Sequence, residues 1–361
     1  MIRRQFLGAC AGAGLLAACA TPAPTPSRLR LPRPLVSADR ITRVLVGLRP
    51  YRPSGFVLRE ASLGTKRVIH NYGHGGGGIT LSWGTAELAL EMGFAGADRP
   101  YAVIGCGVIG LSTARLLQQR GASVTIYAQS LPPDTTSNIA GGHWAPYSVY
   151  KDAAASPAFL AQFHRAVRLS YRYFQHFVGP RYAIRWNRHY TVSDERVPFD
   201  AYQESLRDVV PEMTLLGPGE HPFGNAYVQQ GTAMMIEPAP YLRALIEDFR
   251  AAGGRIVVRE FRDAVQVAAL AEPIVFNCTG LGARALFGDE ELVPARGQLL
   301  LLLPQPEIDF NLFGNRCHIF PRTDGLILGG TFEEGNWSLE PDSATTVAIL
   351  ERNRQLVDRM L

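Results

Sequence analysis

The run Tyr101-Ala-Val-Ile104, followed at once by Gly105-Cys-Gly107-Val-Ile-Gly110, restricts the fold more than any other part of this chain. A short apolar strand, a glycine turn and an amphipathic stretch from Leu111 to Arg120 closed by Gly121 come in the order strand, turn, helix. Glycines at this spacing allow a tight turn, close backbone approach to a pyrophosphate and close packing of helix on strand. The helix N-terminus offers free N–H groups to the phosphates. A second apolar strand, Ser123 to Ala128, supplies the context such a turn needs. The segment predicts an α/β unit that carries a dinucleotide.

The end of that second strand narrows the choice. An acidic residue normally stands there to accept from the ribose hydroxyls, and this chain has Gln129. Glutamine bonds a ribose without charge assistance, which weakens adenosine binding by about 1 kcal/mol. No arginine at 127–133 awaits a 2′-phosphate, which disfavours NADP. With 47% apolar residues over 361 positions the chain buries a full core, and a formal charge of +4 is too small for a nucleic-acid-binding face. The five cysteines, at 10, 19, 106, 278 and 317, form no Cys-x-x-Cys pair, and no histidines cluster at ligand spacing. No metal site is expected, and the three body cysteines read as buried free thiols.

About a hundred residues precede the turn, and their first part is an address. Residues 1–19 combine a basic start, an apolar stretch rich in Ala, Gly and Leu, and a small-residue cleavage region. Arg3-Arg4-x-Phe6-Leu7 resembles a twin-arginine export signal, and Leu16-Ala17-Ala18-Cys19 resembles a bacterial lipobox that would make Cys19 the lipidated N-terminus. Residues 20–35 hold five prolines and form an extended tether. The expectation is an exported bacterial lipoprotein on the periplasmic side of the membrane. No later segment has the roughly 20 apolar residues of a membrane span.

After the second strand comes Leu131-Pro-Pro-Asp-Thr135-Thr136-Ser137-Asn138-Ile-Ala140-Gly141-Gly142-His143-Trp144-Ala-Pro146-Tyr147. It resembles the flavin-contacting loop of the D-amino acid oxidase family. Further matches follow in that family's order: Phe276-Asn277-Cys278-Thr279-Gly280, Arg296-Gly297-Gln298, Pro321-Arg-x-Asp-Gly325, Leu328-Gly329-Gly330-Thr331 and Gly335-Asn336-Trp337. The resemblance implies FAD and a Rossmann-like FAD-binding domain interleaved with a mixed-sheet substrate domain. FAD would lie on Gly105, Gly107, Val108, Ile109, Gly110, Gln129, Thr135, Thr136, Ser137, Ala140, Gly141 and Gly142.

The family's C-terminal arginine motif and second glycine loop do not follow Trp337. Their counterparts stand in front: Gly47-Leu48-Arg49-Pro50-Tyr51-Arg52-Pro53, and His70-Asn71-Tyr72-Gly73-His74-Gly75-Gly76-Gly77-Gly78-Ile79-Thr80-Leu81-Ser82-Trp83-Gly84. The chain reads as circularly permuted, with residues 93–100 joining the old ends, because domain termini commonly lie close together. Segments 36–60 and 61–92 would hold the carboxylate clamp and the flavin glycine loop. Segment 100–150 is the FAD-binding core, 151–240 mainly substrate domain, 241–290 a return to the FAD domain, and 291–361 substrate-domain strands with a C-terminal helix near 343–360.

In the resembled family a D-amino acid gives its α-hydrogen as hydride to flavin N5, and oxygen reoxidises the flavin to yield hydrogen peroxide. The imino acid hydrolyses to a 2-oxo acid and ammonia. The resemblance assigns Arg49 to the substrate carboxylate, which a planar guanidinium grips through two parallel hydrogen bonds. Arg52 reads as structural. Gly75, Gly76, Gly77, Gly78, Ile79 and Thr80 would bring backbone and a helix N-terminus to the flavin, where negative charge builds on reduction. Where the family usually carries a tyrosine before Pro321, this chain has Cys317-His318, so His318 is the candidate replacement donor. The segment from Asp309 to Cys317 is short for a lid. Alternatives remain: an oxidase of glycine, sarcosine or D-aspartate, a flavin dehydrogenase with another electron acceptor, or a non-catalytic flavin-binding lipoprotein. An acidic substrate would need a second cation, for which Arg52, Arg188 and Arg316 are candidates.

Overall fold

A computed structural model describes residues 30–196, 206–208 and 213–361. The expected leader with Cys19, and the tether up to residue 29, lie outside the described residues. In chain order the strands and helices are β1 (Ile41–Tyr51), β2 (Val57–Leu63), β3 (Lys66–Tyr72), α1 (Gly78–Gly93), β4 (Pro100–Ile104), α2 (Val108–Gln119), β5 (Ser123–Ala128) and α3 (Pro157–Gln175). Then come β6 (Ile184–Ser193), β7 (Thr214–Leu216), β8 (Tyr227–Ile236), α4 (Pro238–Ala251), β9 (Arg255–Val258), α5 (Ala264–Ala268), β10 (Ile274–Asn277) and α6 (Gly282–Phe287). The chain closes with β11 (Val293–Leu302), β12 (Phe310–Gly314), β13 (Cys317–Arg322), β14 (Gly325–Gly329), β15 (Glu333–Glu334) and α7 (Ser343–Asp358).

Two sheets result. The smaller runs β2-β3-β10-β4-β5-β9, parallel throughout except for β2 at its edge. Its central strands read as continuous apolar runs because helices cover both faces: Tyr101, Ala102 and Val103 are fully buried. α1 is apolar nearly all round, and it packs between α2, α3 and β3. It begins at Gly78, inside the glycine run, because a first helical turn needs no apolar side chains. The larger sheet runs β1-β11-β14-β13-β12-β6-β8-β7, with β15 paired to β11. β1 is an edge strand, which lets Pro50 sit opposite Pro294 where neither needs a ladder N–H.

The segment 36–60 is divided between the units: β1 joins the larger sheet and β2 the smaller. Likewise α3, within 151–240, packs on α1 over the smaller sheet. The described ends of the chain adjoin. Arg33 donates to the Val357 carbonyl at 3.1 Å and pairs with Asp358 at 2.8 Å, while Leu31 and Val36 share an apolar cluster with Ile349 and Leu356 of α7. Cys106, Cys278 and Cys317 are buried free thiols. Among the described residues, no helix is long and apolar enough to cross a membrane.

Candidate active site

The glycine turn sits where β4 meets α2, with β5 on one side and β10 on the other, the switch point at which open α/β sheets bind ligands. Gly105 has φ +109°, and a Cβ there would lie 2.3 Å from the Cys278 carbonyl. Gly110 has no room for a methyl either, with the Gly105 carbonyl 2.0 Å from its ideal Cβ. At Gly107 a Cβ would meet only Ser137 Oγ, at 3.2 Å. The three glycines thus divide the work as backbone turn, open approach and helix packing. No side chain caps α2 at Gly107, though the Val108 N–H donates to Ser137 Oγ at 3.1 Å.

From this turn a cavity of about 1450 Å³ runs to the larger sheet. Gly105, Gly107, Val108, Ile109, Gln129, Thr135, Thr136, Ser137, Ala140, Gly141 and Gly142 line it, as do Gly75, Gly76, Gly78, Ile79, Thr80, Arg49 and His318. Two expected contacts are absent from the lining. Gly110 is used for helix packing, and Gly77 faces Val149, 2.6 Å from its ideal Cβ. The glycine run is also less free than expected. The Gly76 N–H donates to the Ser148 carbonyl and the Gly77 N–H to the His74 carbonyl, both at 3.0 Å. What faces the cavity there is the start of α1, where a Cβ on Gly78 would touch nothing. An uncapped helix start, a side-chain-free approach and an unbroken cavity between two sheets fit the pyrophosphate, ribose and ring of FAD.

Arg49 projects from β1. Its guanidinium donates to the Thr331 carbonyl at 3.1 Å and stands 6.0 Å from the Phe332 ring centre. A side chain on Gly297 would collide with it, the ideal Cβ lying 2.3 Å from Nη1. No carboxylate among the described residues pairs with it. Burial lowers its pKa, yet a guanidinium stays protonated in proteins, so a half-buried cation lines the cavity without a counter-ion. Such a charge is costly unless an anion arrives. Arg52, by contrast, pairs with Asp289 at 2.8 Å and Glu291 at 2.6 Å and holds the chain at the β1–β2 crossover.

β13 presents His318 and Phe320 to the cavity, while Cys317 and Ile319 face α7, the alternation a strand imposes. His318 stacks on Phe320 at 4.3 Å, Phe320 on His143 at 5.3 Å, and His143 on His189 at 5.1 Å, with Phe313 against all four rings. Burial, then the Arg49 charge, pushes His318 down to about 3. Burial likewise holds His143 well below the ordinary histidine range, helped by His189 and His318, and holds His189 at about 4. All three imidazoles are neutral near pH 7. Each offers one N–H and one acceptor, as the tyrosine hydroxyl expected at 318 would.

Several lining residues escape a reading of the motifs. Arg259, Glu260 and Arg262 follow β9, whose pairing beside β5 brings them to the end of the cavity at Gln129. Tyr147, Ser148, Phe313, Phe332 and Arg352 complete the opposite end. Among the described residues, no group of three or more His, Cys, Asp or Glu is placed to hold a metal ion.

A dinucleotide turn at a sheet switch point, joined by one cavity to an unpaired arginine on a second sheet, defines a two-sheet flavoprotein oxidoreductase. The chain belongs to the FAD dependent oxidoreductase family, whose model matches residues 27–92 and 100–361. It is 33% identical to a D-amino-acid oxidase of Rubrobacter xylanophilus over 266 residues, 72% of this chain and 77% of that protein. It is 31% identical to the D-aspartate oxidase of Homo sapiens over 257 residues, 70% of this chain and 74% of that one. The fold is similar to glycine oxidase from Geobacillus kaustophilus, with TM-score 0.54 and 15% identity over 73% of this chain and 80% of the other. FAD is the cofactor the family carries.

Proposed function

We propose that this protein oxidises D-amino acids to 2-oxo acids, ammonia and hydrogen peroxide. The observation that carries this reading is the unpaired Arg49 guanidinium at the far end of the FAD cavity, together with relatives described as D-amino-acid oxidases. Flavin, when bound, supplies the two-electron acceptor for the α-hydrogen. The chain's own residues do the rest. Arg49 holds the substrate carboxylate in a fixed plane, with Gly297 leaving room for the fork. Neutral His318 beside it gives a hydrogen bond without adding charge. Phe313, Phe320 and His143 wall the site against water. Incubating the purified protein with D- and L-amino acids and measuring peroxide and 2-oxo acid tests the reading. Turnover of D-isomers alone is expected, and turnover of L-isomers alone refutes it. Oxo acid without peroxide indicates another electron acceptor.

We also infer a circular permutation. The two blocks of the family match meet across 93–99, within the expected linker, which here is the last residue of α1 and the loop to β4. The described ends adjoin at the Arg33–Asp358 pair, as a chain reopened there requires. The leader supports export and a lipid on Cys19. Radiolabelled palmitate should enter the wild-type protein and not Cys19→Ser, and equal labelling of both refutes the anchor.

A further inference from the structure

The proposed reading leaves the amino acid side chain open, and the charges around the cavity bear on it. Among the described lining residues two are acidic, Asp134 after β5 and Glu260 after β9, and both belong to the end at the glycine turn. Among the described residues, the end that holds Arg49 has no lining carboxylate and has two further arginines, Arg316 and Arg352. Arg52, Arg188, Arg296 and Arg354 pair with carboxylates. Neither Arg316 nor Arg352 pairs with one among the described residues. Arg352 spends only Nε, on the Ala348 carbonyl of its own helix at 3.2 Å.

These two charges come from different elements that converge. Arg316 stands at the tip of the two-residue turn joining β12 to β13, where it and Asn315 have φ of +55° and +49°. The tip is two residues from His318, and Arg49 and His318 interact. Arg352 reaches the same turn from α7: burial pushes the Cys317 thiol up to about 11, and the Arg352 charge opposes that rise. His143 lines the same wall, and its Nε2 is buried with no partner. Three cations and an orphaned imidazole nitrogen, with no acid beside them among the described lining residues, suit an anion at each end of one small molecule.

We propose that the site takes D-amino acids whose side chain ends in a second carboxylate, with Arg49 on the α-carboxylate and Arg316 and Arg352 on the distal one. The inference rests on the oxidase reading, and its test does not depend on turnover. FAD-loaded protein is titrated with succinate and with butyrate, its monocarboxylate counterpart, following the flavin absorbance. Succinate binds at least tenfold more tightly, Arg316→Ala removes most of that margin, and Arg316→Lys keeps part of it. Arg354→Ala, whose partner is Glu351, leaves the margin intact. Equal binding of the two acids, or a margin untouched in the Arg316→Ala, Arg352→Ala double variant, overturns the proposal. In turnover, kcat/KM for D-aspartate or D-glutamate exceeds that for D-alanine. If D-alanine is the better substrate the distal subsite fails while the oxidase reading stands, and if succinate binds but no D-amino acid reacts the reverse holds.

Discussion

Arg49 illustrates how one residue carries a function through its lack of a partner. Its hydrogen bonds go to the Thr331 and Ala295 carbonyls, and among the described residues no carboxylate compensates its charge. Replacing the planar fork by an ammonium keeps the charge and loses one charged hydrogen bond, about 1.5–3 kcal/mol. Arg49→Lys should therefore raise the Michaelis constant roughly 10- to 100-fold while the flavin spectrum stays, and an unchanged constant would remove Arg49 from the substrate. The buried histidines make a prediction of another kind. His74, pushed to about 3 by burial, and His189, at about 4, stay neutral in the folded protein, whereas the unfolded chain takes up protons below about 6.5. A depressed histidine thus contributes stability that is full above 6.5 and is lost as pH falls toward 4. The melting temperature should decline over that window, and His74→Leu should make the decline shallower. A melting temperature flat from pH 7 to 4.5 would contradict the burial of these rings as neutral groups.

Among the elements, the dinucleotide unit was the most legible, because its signal is local. The apolar β4, the glycines and the amphipathic α2 lie within twenty residues, and each glycine has a separate steric reason. Gly110→Ala should lift α2 from β4, cost about 1–3 kcal/mol and abolish FAD binding. Gly107→Ala should fold with a near-normal apoprotein melting temperature and lose only FAD affinity. Thermal melts with flavin fluorescence separate the two, and a Gly110→Ala protein that melts and binds FAD normally would show that the packing is loose. The distal wall was less legible. The period of two on β13 places His318 and Phe320 on one face, but His143, His189 and Phe313 come from separate segments. Arg352 arrives on a helix whose approach to the β12–β13 turn is a tertiary fact. Motifs likewise hid that Gly76 and Gly77 spend their N–H groups on Ser148 and His74.

At the scale of the molecule, the late position of the glycine turn follows from chain order. Residues 41–92 supply the clamp strand, two strands of the smaller sheet and the α1 start that faces the cavity. Deleting 36–92 should leave a colourless protein. Starting the chain at residue 100 and joining 361 to 36 through a short linker should restore a yellow one, because the ends already meet at Arg33 and Asp358. A yellow deletion variant, or a rejoined chain that fails to fold, would count against the permutation. The proposed oxidation requires FAD and a D-amino acid to share one cavity with Arg49. Its most direct test is to add D- or L-amino acids to the purified yellow protein without oxygen and follow the flavin band near 450 nm. D-isomers should bleach the band and L-isomers should leave it, whereas a band that no D-amino acid bleaches, acidic or neutral, would contradict the account.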